Sequence, residues 1–452
     1  MAQAMSLRGK LIRWIICLLP LLLFLAPLTT AFTAPVRTFF ALTLVLIFCL
    51  CLGQIDMMIT AFAIPFVYYM SGLLPMADAL SSYAGGIVWI GAACFILVNT
   101  LQRIGLMSRI AYWVICRTGG TYRGFCFGML IVGVVLNIIA PAPQVATVMF
   151  FLCASICREF GMKTGRTSAG IMFASVLGCN TTQLFLYMPT QQGVSLAIVG
   201  QEMTWITYLL QNAVFIPLIL LICFLITVIL PQDEAFNGKS YFQMKLMEMG
   251  KITAQETITS VVMIVFVAFL LTTTYTGFPI EYGFVTVPVV LFIAGVGKTE
   301  DIIKVNFGVL LMIGGCMCIG SAAAAAGAGA WIASVLMPVL EGMSEYFFLF
   351  FSYVFGVVMN FLMTPMAAMS SLSQPLADIA VNLDVSTRAS MLAFCAGLEQ
   401  FILPYEIGSL VTMFSLGYVS MQDFMRFGLA KMIVITVGMA ALVIPYWLLL
   451  GV

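Results

Sequence analysis

The chain has 452 residues, 63% of them hydrophobic and 8% charged, with a formal net charge of +1 and no histidine. A soluble domain carries about 25% charged residues, so a chain this poor in charge cannot cover a globular surface and reads as an integral, polytopic membrane protein. The near-zero charge offers no field to nucleic acid, the missing His rules out Ser-His catalysis and His metal ligation, and no catalytic motif or sizeable soluble domain is present, so no enzyme, no catalytic or metal site and no cofactor is expected.

Apolar segments fall at about 11–31, 38–53, 57–74, 86–101, 124–156, 167–200, 204–230, 254–276, 282–296, 305–335, 346–376, 388–416 and 428–450. Several suffice to cross a hydrocarbon core of about 30 Å. The first lies within residues 1–36. It is longer than a signal-peptide core, has no obvious cleavage site, and reads as a retained N-terminal helix. The thirteen Cys are scattered without a CxxC pair and read as small buried hydrophobes. GSAAAAAGAGA, residues 320–330, permits close helix contact. It lacks the Lys and Ser/Thr of a phosphate loop.

The most polar connection, PQDEAFNGKSYFQMKLMEMGK at 231–251, reads as part of a helical, solvent-facing cytoplasmic linker (231–253) between two halves, 37–230 and 254–452. The halves match at one constant offset of 223. Pro65 meets Pro288, Gly72 meets Gly295, Asp78 meets Asp301, Gly91 meets Gly314, and GVVLN from Gly133 meets GVVMN from Gly356. This indicates an internal repeat, a common way for transporters to build a substrate site. Asp78 and Asp301, just before long apolar spans, read better as helix N-caps than as site residues.

Lys and Arg placement sets topology. Arg8, Lys10 and Arg13 put the N-terminus in the cytoplasm. Arg103, Arg109, Arg117, Arg123, Arg158, Lys163 and Arg166 flank 122–158 on both sides, so both its ends should be cytoplasmic. No Lys or Arg occurs from Val305 to Thr387, where Glu341, Glu345, Asp378 and Asp384 surround 345–380, so those ends should be outside. One repeat is then inverted relative to the other. A segment that begins and ends on one side must turn inside the membrane. Pro141 and Pro143, around Ala142, break helix geometry in the first, and Thr364–Pro365 does so in the second. Broken backbone at membrane depth survives only where protein buries it or a wet cavity solvates it. Residues 122–158 and 345–380 are therefore expected as an inward and an outward re-entrant hairpin. Asn137 and Asn360, one turn before the breaks, can satisfy freed backbone or face a ligand. The alternative is a Pro-kinked spanning helix held by a polar cap.

A discontinuous span is expected after each hairpin. In 167–200, Asn180, Thr181, Thr182 and Gln183 form four consecutive hydrogen-bonding side chains, and Pro189-Thr190-Gln191-Gln192-Gly193 forms a second polar break. Such a break can aim backbone N–H groups at an anion and carbonyls at a cation; the alternative is an interhelical hydrogen-bonding patch. In 388–416, Glu399 and Glu406 flank Pro404. An intramembrane carboxylate is a functional candidate, here for ion or proton coupling, with a structural ion pair or helix cap as the alternative. The candidate substrate-binding residues are Asn137, Pro141, Ala142, Pro143, Asn180, Thr181, Thr182, Asn360, Thr364 and Pro365. Glu406 and Glu399 are the candidates for coupling.

These features, with GGIVWIGAACFILVNTLQRIGLMSRIA at 85–111 and GYVSMQDFMRFGLAKMIVI at 417–435, resemble the divalent anion–sodium symporter family of the ion transporter superfamily, the bacterial relatives of dicarboxylate and citrate carriers, over nearly the whole chain. The resemblance implies homodimers that move a transport domain by an elevator motion. In that family Ser-Asn-Thr hairpin tips and Thr-Pro-Pro-Asn-like breaks hold sodium and substrate carboxylates. Here Pro141-Ala142-Pro143 and Met363-Thr364-Pro365 stand at the tips, with Tyr187-Met188-Pro189-Thr190 and Pro404-Tyr405-Glu406-Ile407 at the breaks. The expected fold class is an all-α polytopic membrane protein with two inverted-topology repeats, each holding a re-entrant hairpin and a discontinuous helix. The expected function is secondary active transport of a small anion, an organic carboxylate or inorganic oxyanion, across a bacterial-type inner membrane, coupled to Na⁺ or H⁺. The alternative is a cation/proton antiporter using Glu406.

Overall fold

The computed structural model describes residues 7–52, 55, 57–118, 120–141, 144–233, 236, 238–340, 342–362 and 365–452. The helices run in the order α1 (Leu7–Leu18), α2 (Ala34–Leu52), α3 (Met57–Met70), α4 (Met76–Ser81), α5 (Gly86–Arg103), α6 (Leu106–Arg117), α7 (Tyr122–Ile139) and α8 (Gln144–Glu159). Then come α9 (Arg166–Cys179), α10 (Gln192–Ile198), α11 (Trp205–Asn212), α12 (Phe215–Ile229), α13 (Lys239–Glu248), α14 (Ala254–Thr276), α15 (Ile280–Ile293) and α16 (Thr299–Ile303). The last are α17 (Phe307–Ala326), α18 (Ala328–Leu340), α19 (Glu345–Leu362), α20 (Pro365–Asn382), α21 (Thr387–Leu398), α22 (Gly408–Ser415), α23 (Met421–Gly438) and α24 (Ile444–Leu450). No strand occurs among the described residues. By length and composition, four helical stretches among them can cross a membrane: Met76–Arg103, Tyr122–Ile139, Ala254–Thr273 and Met421–Leu450. The pair Trp205–Asn212 and Phe215–Ile229, bent by 65°, makes a fifth if it is one span.

The chain divides into two compact units that do not coincide with its two halves. One comprises Met1–Val88, Gln191–Glu202 and Asn306–Leu398; the other comprises Trp89–Thr190, Met203–Val305 and Glu399–Val452. The chain passes from unit to unit at Thr190–Gln191 and at Leu398–Glu399, within the two spans expected to be broken.

In the first unit, α3 lies along α17, and Tyr68, Ile64, Cys318, Ile319, Ala322 and Ala323 form a closed core. The small residues of 320–330 do permit this closeness, but they do not form one helix: α17 stops at Ala326 and Gly327 turns the chain at φ +72° before α18. The N-terminal run is likewise not one helix, since a 3-10 stretch, Leu19–Leu25, follows α1 with Pro20 in its first turn. The 345–380 segment is two helices, α19 and α20, both packed on α21, and α10 joins them. The closest crossing is between glycines: a Cβ on Gly356 would strike the Phe394 carbonyl, and one on Gly397 would strike the Tyr353 carbonyl.

The second unit repeats this device. The 122–158 segment is again two helices, α7 and α8, both packed on α9, with α22 against α8. A Cβ on Gly133 would strike the Gly178 backbone, and one on Gly178 the Met129 carbonyl. The linker is helical, as α13, but it is not merely solvent-facing. It packs on α6 and buries Phe242 among Phe125, Phe236, Tyr112 and Tyr241, because an aromatic at that position leaves water readily. Asp233 in the linker caps the start of α9, accepting from the Arg166 and Thr167 amides at 2.8 and 2.9 Å.

Asp301 corrects the N-cap expectation by two roles. It is the third residue of α16's first turn, where its carboxylate accepts from the Lys298 amide at 2.9 Å, and it receives Arg103 at 2.8 Å and Thr100 at 3.0 Å. Asp78 sits in the first turn of α4, whose N-cap is Pro75. Burial opposes ionisation of Asp301, but Arg103, the Lys298 amide and Thr100 together outweigh it and hold the carboxyl below its usual range. A folded pKa below the unfolded value of about 3.9 stabilises above about pH 4 and is lost as pH falls through the folded value.

Two outcomes follow from these contacts. Gly133→Ala should destabilise the purified protein by about 1–3 kcal/mol, while Gly408→Ala, whose Cβ meets nothing within 4 Å, should melt like wild type; equal melting of the two in detergent would contradict the glycine crossing. Asp301→Asn should cost about 3 kcal/mol at pH 7, because Arg103 loses its partner, and the difference from wild type should shrink below about pH 4, as thermal melts across pH would reveal.

Candidate functional site

The first break lies entirely in the second unit up to Thr190. α9 is buried from Thr167 to Cys179, so when the helix stops, its last carbonyls have no water to turn to. Asn137 supplies the partner from α7. Its Nδ2 donates to the Cys179 carbonyl at 3.0 Å and to Thr182 Oγ1 at 2.9 Å, with the Gly178 carbonyl at 3.4 Å. Thr182 Oγ1 in turn donates to the Gly178 carbonyl at 2.7 Å. The reach is set by sequence spacing. Gly133 brings α7 onto Gly178, and Asn137, one turn further, then meets the end of α9. Asn180 Nδ2 donates to Ser409 Oγ at 3.2 Å, and Tyr208 Oη donates to the Gln183 carbonyl at 3.0 Å.

Four oxygens at this break are buried yet make no hydrogen bond among the described residues: Asn137 Oδ1, Asn180 Oδ1, Thr181 Oγ1 and Thr190 Oγ1. A buried polar atom without a protein partner calls for a ligand, ion or water. Amide oxygens accept and hydroxyls can donate or accept, so this set suits a hard cation through its lone pairs or an oxyanion through its hydroxyls. Among the described residues no group of three or more Cys, Asp or Glu could hold a metal ion.

The second break also lies in this unit from Glu399 onward. Pro404 opens a 3-10 turn, Pro404–Glu406, and Glu406 folds back to accept from the Leu403 amide at 2.8 Å and the Ile402 amide at 3.2 Å. This carboxylate caps the very backbone that the proline interrupts. Beside it stands a residue absent from the sequence-derived candidates. Lys431 of α23, 1% exposed, donates through Nζ to the Glu399 carbonyl and lies 4.4 Å from the centre of the Phe401 ring. Both carboxyl groups, Glu399 and Glu406, act electrostatically on it. Gly428 permits this, because a Cβ there would meet the Phe401 carbonyl, and Lys431 is one turn further on. Its signal was available as a lone Lys within an apolar 30-residue stretch.

The candidates therefore divide. Asn137 with Thr182, Asn180, Thr181, the buried Pro141, and Glu399 with Glu406 belong to the second unit. Asn360, buried one turn beyond Gly356 on α19, and Pro365, which opens α20, belong to the first. Ala142, Pro143 and Thr364 lie outside the described residues. The first unit holds a polar contact that the sequence did not announce: Ser195 of α10 and Ser373 of α20 meet at 2.6 Å, both buried, with Met391 of α21 at 3.4 Å from Ser195.

An all-helical chain with membrane-length apolar helices and helices interrupted at buried polar groups has the architecture of a polytopic membrane transporter. The chain belongs to the family described as the sodium:sulfate symporter transmembrane region, whose model matches residues 9–452. Among solved structures it is similar to the YdaH transporter of Alcanivorax borkumensis, reported to have an unusual topology. The TM-score is 0.58 at 14% identity, over 98% of each chain, a likeness of fold. Comparison with curated proteins finds no match.

If Asn137 and Thr182 act as one cap, the single changes Asn137→Ala and Thr182→Val should each lower the melting temperature and the double change should cost less than their sum. A coupling of about 1 kcal/mol is expected; strict additivity would mean that the two side chains act apart.

Proposed function

We propose that the chain is a secondary active transporter of a small anion, an inorganic oxyanion or organic carboxylate, coupled to Na⁺ or H⁺. Membership of the symporter family supports anion transport as the class. The observation that carries the finer reading is the run of buried, uncommitted oxygens on Asn137, Asn180, Thr181 and Thr190 along the first broken span, whose helix end Asn137 caps. Such a set binds only when a partner fills its vacant bonds, which suits a site loaded and emptied once per cycle. In this reading the repeats are inverted, the protein works as a homodimer by an elevator motion, and the N-terminus faces the cytoplasm from a bacterial-type inner membrane. A second reading, cation/proton exchange without an organic anion, draws on the buried carboxyls of Glu399 and Glu406.

The test is uptake into proteoliposomes of labelled sulfate, succinate and citrate under imposed Na⁺ or H⁺ gradients. Uptake of at least one anion under one gradient is expected, with Asn137→Ala lowering the rate about tenfold, the equivalent of about 1.4 kcal/mol. Cation/proton exchange with no anion flux under either gradient would replace this reading by the second.

A further inference from the structure

The two breaks solve the same problem with different charges. In each, a carbonyl just past a crossing glycine is held by a side chain from another helix. After Gly178 the Cys179 carbonyl takes the neutral amide of Asn137. After Gly397 the Glu399 carbonyl takes the ammonium of Lys431. The first arrangement leaves neutral oxygens uncommitted. The second is filled by a fixed positive charge, which has a carbonyl in front of it, the face of Phe401 at 4.4 Å and the carboxyls of Glu399 and Glu406 acting on it. Carbonyl oxygen, ring face and carboxylate together are the surroundings of a cation-binding site.

We propose that Lys431 is a resident cation: its ammonium occupies, permanently, the place at the second break that a free metal cation would otherwise take. This inference rests on the transporter reading and deepens it, since coupling cations would then bind without a metal ion at the second break. Among the described residues, the charges on α23 and on the helices packed against it can be named. Asp423 and Arg426, earlier on α23, face each other at 3.6 Å. Of the helices packed on α23, α12 carries no Asp, Glu, Lys or Arg, and α9 carries only Arg166, its first residue. Glu399 and Glu406 are therefore the carboxyls that Lys431 neutralises in part. One ammonium against two carboxylates leaves room for one further positive charge, which a proton can supply without the coordination shell that a metal ion needs.

The test is thermal melting of the detergent-purified full-length protein in NaCl against choline chloride at equal ionic strength, for wild type, Lys431→Ala, Lys431→Arg and the double change Glu399→Gln with Lys431→Ala. Removing the ammonium should create a saturable Na⁺-specific rise in melting temperature beyond any shown by wild type. Lys431→Arg should keep the wild-type response, and the double change should lose the gain. If Lys431→Ala is recovered from membranes only with Na⁺ or methylammonium present, that supports the proposal equally. The same Na⁺ response in wild type and Lys431→Ala would overturn it, as would a Lys431→Ala protein that neither cation rescues, since the lysine would then be a packing residue. The readout needs no transported anion, so absence of anion flux and failure of this inference are distinguishable.

Discussion

A helix that ends where there is no water leaves carbonyls and amides that only other parts of the protein can satisfy. This constraint governs both breaks. Each free backbone group near residues 178–182 and 399–406 demands a side chain at a set distance, and each such side chain demands that its helix approach closely. Hence the glycines. Gly133 against Gly178, Gly356 against Gly397, and Gly428 against Phe401 remove the Cβ that would hold the backbones apart. The polar residue that does the capping then follows a turn later, as Asn137 follows Gly133 and Lys431 follows Gly428. Backbone need, glycine contact and polar cap form one linked requirement.

The chain changes unit within the two broken spans, after Thr190 and after Leu398, as it also does after Val88, Glu202 and Val305. Each unit thus collects helices from both halves of the sequence: α7, α8 and α9 keep company with α22, and α19, α20 and α21 with α10. Clamps at or near the ends of the spans hold the frame around the second unit's helices. Arg103 grips Asp301, and Arg109 grips Glu256 at 2.6 Å while donating to the Met249 and Gly250 carbonyls. These pairs are partly buried and multiply bonded, the condition under which an ion pair resists loosening.

Charge separates the two halves. The first break is lined by neutral amides and hydroxyls, the second by two carboxyls and an ammonium, although the sequence around Gly133 and Gly356 is nearly the same. The difference in charge arises in the residues after Gly178 and Gly397 and in the Lys on α23.

Composition and the length of the apolar segments determined that this chain is a polytopic membrane protein, because 8% charge cannot cover a soluble surface. The internal offset pointed to Asn137 and Asn360, and Pro404 to the second break, because a proline has no N–H to donate and disfavours a continued helix. Those are short-range facts, readable along the chain. Which side chain satisfies which carbonyl was not readable, since Asn137 and Thr182 stand 45 residues apart, and Lys431 and Glu399 stand 32 apart. Periodicity marks a face of a helix but not what lies across from it. The linker's buried Phe242, the Ser195–Ser373 contact and the paired roles of Asp301 were legible only in three dimensions, because each depends on helices that meet across long stretches of sequence.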